Sequence, residues 1–195
     1  TGSYNTAVGY AALTEATTPD NNTAFGNNAL QVNTTGSSNT AVGSEALDAC
    51  TTGALNTAIG KGAATALTTG QRITALGFES LKGVTSGTYN IGIGTNAGQS
   101  LTDGTGVIAI GDSSYSNGTG SYNTAIGISS LNNCTGQHNL AAGRNAGNAI
   151  TSGQYNVALG NYALDASTTS SENTAVGYSA LTANTTGGNN TAIGN

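Results

Sequence analysis

A glycine returns along this chain at an almost fixed interval. It stands at Gly9, Gly26, Gly43, Gly60, Gly77, Gly94, Gly111, Gly127, Gly143, Gly160, Gly177 and Gly194, each time closing a segment of the Asn-Thr-Ala-Val-Gly kind. The interval is 17 residues except between Gly111, Gly127 and Gly143, where it is 16. A chain whose successive segments are equivalent must place them in equivalent surroundings. It therefore builds by stacking one unit, not by closing around a single core.

Alignment on that glycine (position 0) turns the chain into a profile of twelve copies. Position −3 is Thr in eight copies and Ile91, Ile108, Leu140 or Val157 in the others. Position −1 is aliphatic in ten, with Phe25 and Ala142 as exceptions. Position −2 is Ala in eleven and Gly92 in one. Alternation with period two predicts a β-strand at each copy. The exchange of Thr with aliphatics reads as a −3/−1 face turned to an apolar interior. The other face never carries a large side chain, which predicts close approach by a neighbour. That neighbour is a partner chain, a second wall of the same rung, or crowding at a tight corner.

Position +4 carries Leu in seven copies, among them Leu13, Leu30, Leu47 and Leu81. Where it is Ala64, Gly98 or Gly147, a larger residue stands three places on, as Leu67, Leu101 or Ile150. Volume moves without being lost, as two sites filling one core require. Tyr115 at +4 fits no such pattern. Position −7 is Gly in ten copies, preceded by Thr, Ser or Asp, and reads as a turn in which glycine takes positive φ. Asn at −4 in ten copies predicts a stacked hydrogen-bonded ladder. The thirteen charges avoid the −7, −3, −2, −1, 0, +3 and +4 columns and mark the solvent face elsewhere.

A short strand, a corner, a Leu-bearing segment and a turn make one rung. The predicted fold is all-β, a β-solenoid (β-helix or β-roll) of twelve repeats of about 17 residues. Residues 1–195 form a single repeat domain, expected to be a segment of a longer fibre. Rungs about 4.8 Å apart give a rod on the order of 50 Å.

Only 7% of residues are charged, and the four basic ones, Lys61, Arg72, Lys82 and Arg144, are too few to neutralise a nucleic-acid backbone. No apolar stretch approaches the length of a membrane span. Cys50 and Cys134 share the +7 column five rungs apart, beyond the reach of a disulfide within one chain. His138, the one histidine, sits in the variable −5 column with no nucleophile or carboxylate placed to form a triad. Asp48 and Asp165 share +5 but lie seven rungs apart, which leaves no paired carboxylates. The expectation is no enzyme, no catalytic residues, no metal and no cofactor.

Two sequences carry a family resemblance. Tyr155-Asn156-Val157-Ala158-Leu159-Gly160 and Val107-Ile108-Ala109-Ile110-Gly111 resemble head repeats of trimeric autotransporter adhesins. The unit Thr185-Thr186-Gly187-Gly188-Asn189-Asn190-Thr191-Ala192-Ile193-Gly194 is similar to repeats of phage tail fibres and related bacterial surface fibres. The resemblance covers the whole chain and implies an extracellular, homotrimeric β-solenoid, with a left-handed path expected. It also implies a structural role in spacing or presenting a tip that binds a host surface, through a glycan or protein met by other parts of the fibre.

Three expectations about sites follow. Identical rods would close by rotational symmetry through the small-residue face, with Ala7, Ala24, Ala41, Ala58, Ala109, Ala125 and Ala175 at the interface. Alternatively the rod itself binds surface glycans, through Tyr4, Tyr89, Tyr122 and Tyr155 in the −5 column. A third reading is an ice-binding rod. The −3 threonines are poor candidates, since Ile91, Ile108, Leu140 and Val157 replace them and mark that rank as interior, so the −8 rank of Thr35, Thr52 and Thr69 is preferred.

Overall fold

The computed structural model describes residues 2–195. Twelve three-residue strands follow one another: β1 Thr6–Val8, β2 Thr23–Phe25, β3 Thr40–Val42, β4 Thr57–Ile59, β5 Thr74–Leu76 and β6 Ile91–Ile93. The second half continues with β7 Ile108–Ile110, β8 Thr124–Ile126, β9 Leu140–Ala142, β10 Val157–Leu159, β11 Thr174–Val176 and β12 Thr191–Ile193. They form one parallel sheet in sequence order, β1 to β12. This is a β-solenoid, and the repeat register is the sheet register: Thr57 lies beside Thr74, Ala58 beside Ala75, Ile59 beside Leu76. The two 16-residue rungs keep it, with Ile108 beside Thr124 and Thr124 beside Leu140.

The −3/−1 face is turned outward, contrary to expectation, while the small-residue face is closely approached as expected, by the second wall of its own rung. Ala24, Ala41, Ala58, Ala109, Ala125 and Ala175 are completely buried. The −3 and −1 side chains are half-buried or exposed, Phe25 at 56% and Ile59 at 42%. The cause is the thinness of the rung. Its second wall, carrying Ala or Ser at +3 and Leu at +4, fills the space beneath the strand, and only Ala fits opposite. Gly92 shows the limit: a Cβ there would lie 2.6 Å from Leu81 Cγ and 2.7 Å from Ser80 Oγ. The alternation of Thr with Val, Ile and Leu on the outer face reflects a half-covered strand surface, where β-branched residues of either polarity, and an occasional Leu, serve.

The volume exchange at +4 and +7 holds. Leu67, Leu101 and Ile150 are all fully buried, and a Cβ on Gly98 or Gly147 would press on Leu81 Cδ2 or Leu131 Cδ2 at 2.6 and 2.9 Å. Tyr115 obeys the same rule. Its rung carries Gly118 at +7, and the buried ring occupies the volume that a side chain on Gly118 would need. Its hydroxyl donates to Gly120 O at 2.7 Å and accepts from Asn123 Nδ2 at 2.8 Å.

The glycine at −7 does not take positive φ. It is there because the next rung is close: a Cβ on Gly53 would lie 2.6 Å from Gly70 O. Left-handed backbone falls instead at −5, +2 and +4 of every described rung, mostly on residues other than glycine. Leu47 (φ 52), Glu45 (φ 61) and Leu55 (φ 63) are one set. Each such kink turns an N–H toward an adjacent rung. Glu45 N donates back to Asn27 O, Leu55 N back to Ser37 O and Leu47 N forward to Ala63 O, at 2.8, 3.1 and 3.1 Å. Hydrogen bonds between rungs thus continue through the corners, where no strand is present, and offset the backbone strain.

Candidate functional site

A solenoid offers columns of equivalent side chains rather than a cleft. Among the described residues there is no pocket and no group of three His, Cys, Asp or Glu that could hold a metal ion.

The Ala column is closed to a partner. From Ala24 to Ala175 its methyls lie inside their own rod, covered by the second wall, so they cannot form the seam of a trimer. Ala7, in the first rung, is exposed.

The Asn column at −4 is an internal brace interrupted at Ile73 and Val107, whose N–H groups still donate to Asn56 Oδ1 and Asn90 Oδ1. Asn39 donates from its backbone to Asn22 Oδ1 at 2.8 Å and from Nδ2 to Gly53 O at 2.8 Å, while its own Oδ1 accepts from Asn56 N at 3.0 Å. Asn139, Asn156 and Asn173 repeat the pattern; Asn123 starts this run, accepting from Asn139 N and donating to Gly136 O, and Asn190 ends it on Asn173 Oδ1. Each amide satisfies two buried backbone groups that a corner leaves open.

A second brace escaped the reading of the sequence. Counted from the preceding glycine, position +8 is Thr in all eleven rungs, Thr17 to Thr185. Thr34 Oγ1 donates to Thr51 O at 3.0 Å, and Thr51 Oγ1 to Thr68 O at 3.2 Å. The series breaks at Thr102, whose hydroxyl turns to Asp103 Oδ1 at 3.2 Å, and resumes from Thr135 to Thr151 O and from Thr151 to Thr168 O, at 3.2 and 3.0 Å. Counting back from the following glycine hides this column, because each one-residue deletion shifts it by one. Counting forward reveals it.

The −5 column holds the exposed rings. Tyr89, Tyr122 and Tyr155 are each about half exposed and Tyr4 more so. Tyr122 stacks on His138 (centroids 5.2 Å, planes 8° apart), which stacks on Tyr155 (5.1 Å, 2°). Arg72 lies over the Tyr89 ring at 5.1 Å and donates to its hydroxyl at 3.1 Å. Tyr4 stands apart at the first rung. The four tyrosines therefore share a column without forming one platform, and the inner three give ring faces to rung-to-rung packing.

Cys50 and Cys134 are free and fully buried. Burial pushes both thiols up to about 11, against weaker opposing hydrogen bonds to Gly53 and Gly136 carbonyls. Neither is an activated nucleophile. Desolvation raises the Asp48 and Asp165 carboxyls above the ordinary range, with Glu45 adding to the effect at Asp48. Asp48 Oδ1 is buried without a hydrogen-bond partner. The one ion pair among the described residues is Lys82 with Glu79 at 2.9 Å on the surface, a pair of small energetic weight.

The outer −3/−1 ribbon is the remaining column pair. It bears no charge. Its Thr hydroxyls make no hydrogen bond within the described chain, in contrast to the Thr column at +8. Compared with known proteins, the chain matches no family model, no curated protein and no solved structure.

Proposed function

We propose that this chain is a structural, non-enzymatic rod: a segment of an extracellular fibre, of a phage tail or a bacterial surface, that spaces or presents a surface-binding tip. The observation that supports the reading is repetition. Thr hydroxyl bonds and Asn amide bonds tie rung to rung along most of the rod, the first set interrupted between Thr102 and Thr119 and the second at Ile73 and Val107, and backbone hydrogen bonds between rungs run through those gaps. A column used in that way transmits length and stiffness. Assembly through the alanine column is no part of this proposal.

The test is excision of two whole rungs, residues 44–77, from the full-length fibre. Each rung contributes about 4.8 Å, so the rod should shorten by about 10 Å in electron micrographs or scattering while attachment persists. A shortened fibre that still folds and assembles but no longer attaches overturns the spacer reading and places recognition in the rod.

A further inference from the structure

We propose that the outward −3/−1 ribbon is an ice-binding surface, which holds an ordered layer of water and docks through it onto an ice crystal. The inference stands apart from the fibre reading, since a rod that spaces a tip has no need of ice.

The ribbon combines four properties. Its register is regular: Thr6, Thr23, Thr40, Thr57 and Thr74 lie side by side on five consecutive strands, with Val8, Phe25, Val42, Ile59 and Leu76 beside them. Spacing is about 4.8 Å along the rod and about 6.7 Å across two strand residues, of the same order as oxygen rows in ice. The chemistry is a mixture of hydroxyls and methyls without charge, so water can be anchored by the first and caged over the second. The −3 hydroxyls are free of partners within the described chain, whereas most Thr hydroxyls at +8 are tied to the next rung's carbonyls. Where Thr gives way to Ile91, Ile108, Leu140 or Val157, the surface keeps its methyl rank and gains no charge.

The main competing occupant is a second copy of the chain. The ribbon is too small for it. Eleven intervals between twelve strands give a strip about 53 Å long and 7 Å wide, or about 370 Å². A stable interface needs roughly 800 Å² from each partner. A dry interface would also leave the Thr hydroxyls to find partners, whereas water supplies them at once. The preference for the −8 rank is thereby reversed. Thr35, Thr52 and Thr69 are exposed, but that rank gives way to Ser86 and Asp103 and brings a charge with it.

The test measures thermal hysteresis and ice-crystal shaping by the purified protein, with its solution mass determined at the same concentration. The parent should shape ice as a monomer. Thr57→Lys and Thr40→Lys each place a hydrated charge in the ribbon without entering the core, so both should fold with unchanged circular dichroism and lose most of the hysteresis. Thr52→Lys, on the −8 rank, should retain it. No ice shaping by the folded parent, equal loss in the −8 variant, or a dimer whose ribbon is protected from solvent would each overturn the proposal.

Discussion

At the scale of single residues, conformation and space select identity separately, and the sequence records the second more clearly. A left-handed non-glycine residue costs on the order of 1–2 kcal/mol, yet this chain adopts that conformation at three positions in every described rung. Positions −5 and +2 vary in sequence, and +4 is mostly Leu for its buried volume, so no residue type marks the conformation and the backbone kink is invisible to pattern reading. At −7, by contrast, glycine is nearly constant and its φ is ordinary; the constant feature is the neighbouring carbonyl. Leu55 isolates the conformational cost. It is about half exposed, at φ 63, in a column that elsewhere holds Asn21 and Asn189. Asn tolerates this region because its short polar side chain bonds locally. Leu55→Asn should therefore stabilise the rod by about 0.5–1 kcal/mol, read as a rise in thermal midpoint. An unchanged or lower midpoint would show that the Leu55 side chain repays its backbone cost through packing.

At the scale of the rung, two polar braces flank a thin apolar filling. The Asn ladder was legible because Asn recurs at one place relative to the strand it borders. The strands were legible from period two. Which face pointed inward was not, because inwardness was inferred from hydrophobicity. A thin solenoid fills its interior from one wall, so the opposing strand contributes only Ala, and the larger aliphatics are displaced to the outside. Tyr115 is legible once Gly118 is read as its counterpart, by the rule already evident in Gly98 and Leu101. The worth of the brace can be measured at Asn39. Asn39→Ala leaves the buried Asn56 N without a partner and leaves Gly53 O only the weak Cys50 thiol donor at 3.6 Å. An unsatisfied buried group costs roughly 1–3 kcal/mol, so a loss of about 2–3 kcal/mol is expected in denaturant unfolding. A loss below about 1 kcal/mol would mean that the ladder is dispensable and that the backbone bonds between rungs suffice.

At the scale of the whole molecule, the rod has one buried and one presented side to its sheet, and the rest of the account depends on that orientation. With alanines inside, the rod is self-contained and the Thr/aliphatic ribbon is free to meet water, ice or another surface. With alanines outside, the same sequence would present a tight seam for neighbouring chains. One labelling experiment separates the two: Thr57→Cys, Ala58→Cys and Ile59→Cys, each treated with a water-soluble maleimide under native conditions. The native thiols Cys50 and Cys134, fully buried, should stay silent and provide the background. Rapid modification at positions 57 and 59, with protection at 58 until the rod is unfolded, is the result expected here. Rapid modification at 58 with protection at 57 and 59 would contradict it, and would return the alanines to the surface and the aliphatics to the core.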